Sequence, residues 1–269
     1  MSPTRTVING IFGKMGQEVL NAVTLDPETQ VVGAVARSTD IPEIALPDGS
    51  GNVPVLASLV EMASSTKPDV IVDFTSAESA RAAFLAAASE GIHFVTGTSG
   101  FTSDDLDNMN TVALDKGIGA IFAPNFALGA ILLMHLAESV VPHAEFTEIV
   151  EMHHNKKSDA PSGTAMATAE RMLKVRGKDF DQQITETSNL EGARGGSYGG
   201  ISIHSIRLPG LMAHQEIIFG LAGQPLTLRH DTINRECYMP GVLLAIKRVL
   251  GTKGLTVGLE SFMGLKSIS

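Results

Sequence analysis

Between Glu151 and Ala165 the chain reads Glu-Met-His153-His154-Asn-Lys-Lys157-Ser-Asp159-Ala-Pro161-Ser162-Gly163-Thr164-Ala, which crowds imidazoles, amines and a helix start into one short stretch. Neighbouring strand residues point to opposite faces, so His153 and His154 share a pocket only where a strand ends or twists, and Asn155-Lys156 suits such an exit. Pro161-Ser162-Gly163-Thr164 reads as a helix N-terminus with Ser162 as its cap, leaving the Gly163 and Thr164 amides to bind a carboxylate. Lys157 directed at the same place adds a charge-assisted bond, and a histidine is the side chain suited to delivering a proton near neutral pH. The expected chemistry is anion binding built together with acid catalysis.

The rival readings of this cluster are weaker. Burying lysine beside histidine and a helix start with free amides is costly without an anionic ligand, which argues against a purely structural role. Zinc is disfavoured because there is no H-E-x-x-H, no cysteine pair, and adjacent strand histidines diverge; no metal is expected. Gly97-Thr98-Ser99-Gly100 is not the G-x-S-x-G of a serine hydrolase. A semialdehyde dehydrogenase needs a cysteine nucleophile, for which Cys237 is the sole candidate, and the Glu-Lys-Pro signature of sugar dehydrogenases is absent. A nucleotide sensor that lost turnover would have had no reason to keep this constellation.

A second cluster stands near the N-terminus, where Gly10-Ile11-Phe12-Gly13-Lys14-Met15-Gly16 follows an apolar strand and opens a helical run. Glycines there let the backbone turn tightly against a pyrophosphate, which helix N-terminal amides then bind; a plain strand-to-helix turn is the alternative. The spacing is one residue longer than G-x-G-x-x-G. The second strand ends in Val35-Ala36-Arg37-Ser38 with no carboxylate for a ribose hydroxyl, and Arg37 pairs instead with a 2′-phosphate. NADPH is therefore the expected cofactor, with NADH as the second choice, unless Arg37 is only a solvated loop charge.

These clusters need elements to carry them. Strands are expected at residues 6–9, 30–36, 70–74, 93–96 and 120–122, alternating with helical stretches in the pattern of a parallel sheet. The alanine-rich segment 77–90 follows the capping Thr75-Ser76 and is expected as a crossover helix. After Asn125 the order changes: helices over 129–143 and 165–174, then extended segments over 146–154, 201–208, 214–219 and 226–230, imply a second, mixed-sheet domain. Residues 239–250 read as an amphipathic helix closed by Gly251, and the run 192–200 as a mobile loop.

Composition bounds the rest. A chain of 269 residues, 43% hydrophobic, is long enough for one large or two modest domains. A formal net charge of −9 is the wrong sign for nucleic-acid binding. No apolar run reaches the roughly 18 residues of a membrane span, and the longest candidate, 127–136, meets Glu138. The immediate entry into a strand and the single Cys237 lead to an expected cytoplasmic setting, or a plastid stroma if a transit peptide has been removed.

From His153 to Ala165 the pattern H-H-x-x-K-x-D-A-P-S-G-T-A is complete. Together with Gly10–Gly16, Asp73-Phe74-Thr75, Gly97-Thr98-Ser99-Gly100-Phe101 and Pro124-Asn125-Phe126, it makes the chain resemble the dihydrodipicolinate reductase family of lysine biosynthesis by the diaminopimelate route, along nearly its whole length. The resemblance implies an α/β protein: a Rossmann-like, doubly wound parallel-sheet domain over 1–126 and 238–269, and an α+β mixed-sheet domain for substrate binding and tetramerisation over 127–237. It implies an oxidoreductase that uses NAD(P)H to reduce (hydroxy-)dihydrodipicolinate to tetrahydrodipicolinate, and a homotetramer whose partner is a small dicarboxylate.

The resemblance also implies residue roles. His153 donates the proton with Lys157 helping, while His154, Lys157, Ser162, Gly163 and Thr164 hold the substrate carboxylates. The cofactor would lie against Gly10, Ile11, Phe12, Gly13, Lys14, Met15 and Gly16, then Arg37, Phe74, Thr75, Gly97, Thr98 and Ser99, and finally Ala123, Pro124, Asn125 and Phe126. Domain closure is expected to bring nicotinamide and dicarboxylate together. Relatives often carry an acid where this chain has Ala36, a departure that favours NADPH, and a second threonine where it has Ser99.

Overall fold

The computed structural model describes residues 2–37, 40–182, 187 and 189–266; Ser38 of the second strand end and residues 267–269 of the expected nucleotide domain lie outside the described residues. The chain divides into two compact units, the first running to Ala127 and resuming over Arg235–Gly264, the second taking Leu128–Asn234 together with Leu265 and Lys266 of the tail, which the sequence resemblance assigns to the nucleotide domain.

In the first unit β1 (Thr4–Asn9), α1 (Lys14–Leu25), β2 (Thr29–Val35), β3 (Glu43–Ala45), β4 (Asn52–Leu56), α2 (Leu59–Thr66) and β5 (Val70–Asp73) come in order. There follow α3 (Ala77–Ser89), β6 (His93–Thr96), α4 (Ser103–Lys116) and β7 (Gly119–Phe122). The second unit contributes α5 (Leu128–Val140), β8 (Phe146–His153), α6 (Gly163–Arg176), β9 (Gly196–Tyr198), β10 (Ile201–Arg207), β11 (Ala213–Leu221) and β12 (Gln224–Thr232). The chain then returns to the first unit with α7 (Met239–Val249) and β13 (Gly254–Val257).

The first sheet has eight strands in the order β13-β7-β6-β5-β1-β2-β4-β3, all parallel except for the β3–β4 pair. Its central strands β6, β5 and β1 are buried along nearly their whole length because helices cover both faces of a parallel sheet. Val7, Ile71, Phe84 and Phe94 are buried in its core, and the Phe84 and Phe94 rings meet edge-on at 5.7 Å. Ser76 caps α3 by accepting from the Ser79 amide. A reciprocal Thr102–Asp105 box opens α4, and Gly117 in the left-handed region closes it. The register aligns Val35, Asn9, Asp73, Thr96 and Phe122 in one row, so the segments that follow these strands all leave from the same carboxyl edge. In open α/β sheets that edge is where ligands bind.

The second sheet runs β12-β11-β8-β10-β9, with β8 and β10 parallel and the other neighbours antiparallel. Period-two alternation places Thr147, Ile149, Glu151 and His153 on one face of β8. The row Ile217–Ile149–Ile203 packs into a core with Leu133 and Ala137 of α5 and Ala165, Ala169 and Met172 of α6. One pair further along, the same face becomes Gln215–Glu151–Ser205, and then Ala213–His153–Arg207. An apolar core thus grades into a polar site along a single strand.

Several elements escape the sequence pattern. β3, β9 and β13 are short and lie at or near sheet edges, so they lack a buried face to mark them. β9 sits inside the glycine-rich run read as a mobile loop, paired antiparallel to β10. α7 stops at Val249, and Leu250 rather than Gly251 occupies the cap position. Among the described residues no helix is long and apolar enough to cross a membrane.

Candidate functional site

The glycine loop departs from the end of β1. Gly10 has φ +87°, where an L side chain is strained, and an added Cβ would stand 2.8 Å from Thr75 Cγ2. A Cβ on Gly16, in the first turn of α1, would overlap the Gly10 carbonyl oxygen. Gly13 is the N-cap of α1 without a side-chain cap, and the first turn carries no acidic residue. The helix start therefore presents uncapped amides and the positive end of its dipole, the environment that an anion completes. Beside it a cavity of about 790 Å³ is lined by Gly10, Phe12, Gly13, Ala36, Arg37, Phe74 and Thr75. Its far wall comes from Leu59 and Val60 of α2 and from Ser79, Ala82, Ala83 and Ala86 of α3, where small side chains leave the space open. A phosphate-bearing dinucleotide fits this combination of glycine cradle, uncapped helix and cationic rim.

Other residues expected around the cofactor divide by exposure. Lys14 and Ser99 are exposed and Met15, Phe74 and Thr75 half-buried. Ile11 and Ala123 are fully buried, so they meet a ligand through backbone at most. Phe126 is also buried, its ring 5.5 Å from that of Phe74, while Gly97 lies where a Cβ would overlap the Phe74 ring. Pro124 is exposed, and Asn125 Oδ1 accepts from the Ala127 amide. Thr98 is buried in a network centred on the fully buried Asp73. One carboxyl oxygen of Asp73 accepts from Asn9 Nδ2 (2.7 Å) and Thr75 Oγ1 (2.8 Å), and the other from Thr96 Oγ1 (3.0 Å) and Thr98 Oγ1 (2.7 Å).

In the second unit β8 ends at His153, and the following loop carries Lys157 back toward α6. His154 and Gly163 are exposed, and a Cβ on Gly163 would meet nothing within 4 Å. Ser162 is the N-cap of α6, its Oγ accepting from the Ala165 amide at 3.2 Å. The next amides, of Gly163 and Thr164, have no carbonyl one turn earlier within the helix. Lys157 Nζ pairs with Asp159 Oδ1 at 2.7 Å, an ion pair whose acid is half exposed and hence readily exchanged for another carboxylate.

Glu151 organises these groups. Its side chain is fully buried, and Oε2 accepts from His153 Nδ1 at 2.6 Å. The Arg207 guanidinium donates to both of its oxygens, at 2.8 and 2.7 Å, and also to the Asp159 carbonyl at 2.7 Å. The Ser162 amide donates to Oε1 at 3.2 Å. Burial pushes the Glu151 carboxyl up, but hydrogen bonds from Arg207, Ser205 and His153 outweigh it and hold the group below the usual carboxylate range. His153 lies below the usual imidazole range because burial outweighs the pull of Glu151, with Lys157 and Arg207 pushing the same way as burial. The free ring is accordingly neutral at pH 7 and primed to take a proton when negative charge arrives.

The structure thus gathers His153, Lys157, Ser162, Gly163 and Thr164 around one strand end and one helix start. Sequence reasoning missed Glu151 and Arg207. Glu151 stands two residues from His153, so strand alternation alone puts both on one face, a signal available beforehand; Arg207 is joined only by the β8–β10 register. The alanine spacing of α3 marks a crossover helix but carries no sign that Ala82, Ala83 and Ala86 line the cavity.

A family model described as dihydrodipicolinate reductase, N-terminus, matches residues 4–126, and one described as dihydrodipicolinate reductase, C-terminus, matches residues 129–263. The chain is 49% identical over 265 residues to the 4-hydroxy-tetrahydrodipicolinate reductase of Dehalococcoides mccartyi, covering 98% of this chain and all of the relative. It is 43% identical to that of Thermosynechococcus vestitus, with 97% and 98% covered. Among solved structures, dipicolinate-bound dihydrodipicolinate reductase from Paenisporosarcina sp. TG-14 superposes with a TM-score of 0.86 at 40% identity, covering 96% of this chain and 99% of that one.

Proposed function

The chain belongs to the dihydrodipicolinate reductase family, and we infer that it reduces (hydroxy-)dihydrodipicolinate to tetrahydrodipicolinate in lysine biosynthesis, with His153 as proton donor. A reduced nicotinamide, when bound, supplies the hydride. The observation that carries the residue assignment is the joining of His153, the Lys157 loop and the start of α6 through one buried carboxylate.

A ring dicarboxylate fits this place by charge. One carboxylate displaces Asp159 from Lys157, and the other takes the Gly163 and Thr164 amides, with His154 exposed beside them. The dianion raises the proton affinity of His153, which then holds the proton that quenches charge left on the ring by hydride addition. Hydride and proton together saturate one double bond of the dehydrated ring; a substrate that still carries the hydroxyl must first lose it as water to give the same product.

For the cofactor, the glycine loop and the uncapped start of α1 suit the pyrophosphate, and Arg37 on the cavity rim suits a 2′-phosphate, so NADPH is the preferred form. The nucleotide is assigned to residues 1–126 with 238–269, and the substrate to 127–237. A homotetramer is proposed from family membership; in its support, the face of the second sheet bearing Val150, Met152 and Ile218 stays only half buried in the single chain. Light scattering of the purified protein tests that state. A cytoplasmic location accords with the reading but rests on the sequence. The deciding assay mixes the protein with NADPH and a source of the substrate and follows nicotinamide absorbance: oxidation confined to reactions containing both is expected, and no oxidation refutes the activity.

A further inference from the structure

We propose that Glu151 is the positioning residue of the acid: its carboxylate holds His153 with a hydrogen on Nδ1, so that Nε2 alone exchanges the catalytic proton, and the Arg207 fork keeps that carboxylate ionised and in register. The inference deepens the reading above and rests on it.

Ionised carboxylates only accept hydrogen bonds, so a 2.6 Å contact from Glu151 Oε2 requires the hydrogen on His153 Nδ1. Glu151 cannot turn away, because its other contacts come from directions fixed by backbone: the Ser162 amide at the cap of α6 and an arginine one strand over, paired in register with His153 itself. A two-pronged guanidinium fits both oxygens at once, which a lysine cannot do. The same carboxylate therefore orients the acid and anchors the helix start that would hold the substrate.

The charges facing the ring come from each neighbouring element. Glu151 lies on its own strand, Arg207 on β10, and Lys157 and Asp159 on the following loop; β11 contributes Ala213 opposite, with His214 next along, and α6 brings only uncharged Ser162, Gly163 and Thr164. Among the described residues Glu151 is the anion bonded to the ring, so removing its charge should lower the imidazole's proton affinity. A general acid works only while protonated, so turnover then fails at a lower pH.

The test uses the full-length protein. Nitrogen NMR of its histidines, with His153 assigned by loss of its signal in His153→Asn, should report the Nδ1–H tautomer; the Nε2–H tautomer in the unsubstituted protein would overturn the proposal, and this measurement needs no variant at Glu151. Glu151→Gln should lower kcat by about 10–100-fold, within the range of general acid catalysis, with KM for the dicarboxylate changed far less. Its alkaline limb should move to lower pH by roughly one to three units, with partial recovery in Glu151→Asp. A folded Glu151→Gln protein with unchanged tautomer and pH profile sinks the inference alone. Unimpaired turnover in His153→Ala would instead sink the functional reading beneath it.

Discussion

At the carboxyl edge of the eight-stranded sheet the groups offered to a ligand are chiefly backbone: an uncapped helix start, a loop whose glycines leave no room for Cβ atoms, and a cavity walled by alanines, with Arg37 as the added charge. At the end of β8 the groups are side chains, a histidine and a lysine each tied to a carboxylate, with an arginine behind them. Both regions suit anions. On the proposed reading, the first would select chiefly by shape and be indifferent to pH, while the second would select by charge and have to titrate in order to work. A redox cofactor that is only held can be met by fixed dipoles, whereas a substrate that must be protonated needs a group able to change its own charge.

The contrast can be broken most forcefully at His153. His153→Ala should reduce kcat by about 10²–10⁴-fold while leaving KM for the cofactor within a small factor; steady-state kinetics varying each substrate in turn would expose a shared role if both parameters moved together. In the other region Gly16→Ala should act through sterics alone, because the new Cβ meets the Gly10 carbonyl oxygen. A loss of about 1–3 kcal/mol, read from thermal melts and from weakened cofactor binding, is expected at every pH between 6 and 8. A pH-dependent loss would contradict the division of labour.

Arg37→Ala tests the exception within the first region. Catalytic efficiency with NADPH should fall about tenfold, the value of one partly solvated charged hydrogen bond, and with NADH should stay nearly constant; equal losses with both cofactors would make Arg37 a bystander. The smallest effect expected is on dicarboxylate binding. The free His153 imidazole lies below its ordinary value of about 6.5, mainly through burial, and a bound dianion should raise it. Dipicolinate should therefore bind roughly 3–10-fold more tightly at pH 6 than at pH 8, with proton uptake. Calorimetry in buffers of different ionisation heat measures both, and proton release would reverse the assigned sign.

Much of this arrangement could be read from residue order. The glycine loop, Arg37 at a strand end, the Ser162 cap and the exit of the chain after His153 are local features, set by spacing within one or two turns. Partners brought together by tertiary pairing could not be read. Arg207 reaches Glu151 across 56 positions because β8 and β10 run side by side in parallel, and spacing carries no trace of that register. The edge strands β3, β9 and β13 were invisible for the opposite reason: pairing on few neighbours needs no hydrophobic alternation.

The Asp73 network carries its own consequence. A single sequestered acid gathers hydroxyls and an amide from the ends of β1 and β6 and from Thr75 and Thr98 just beyond β5 and β6. Three crossover segments are thereby laced to one knot. Shortening any one lace should be felt by the others, so Thr96→Val and Thr98→Ala combined should cost less than the sum of their separate costs.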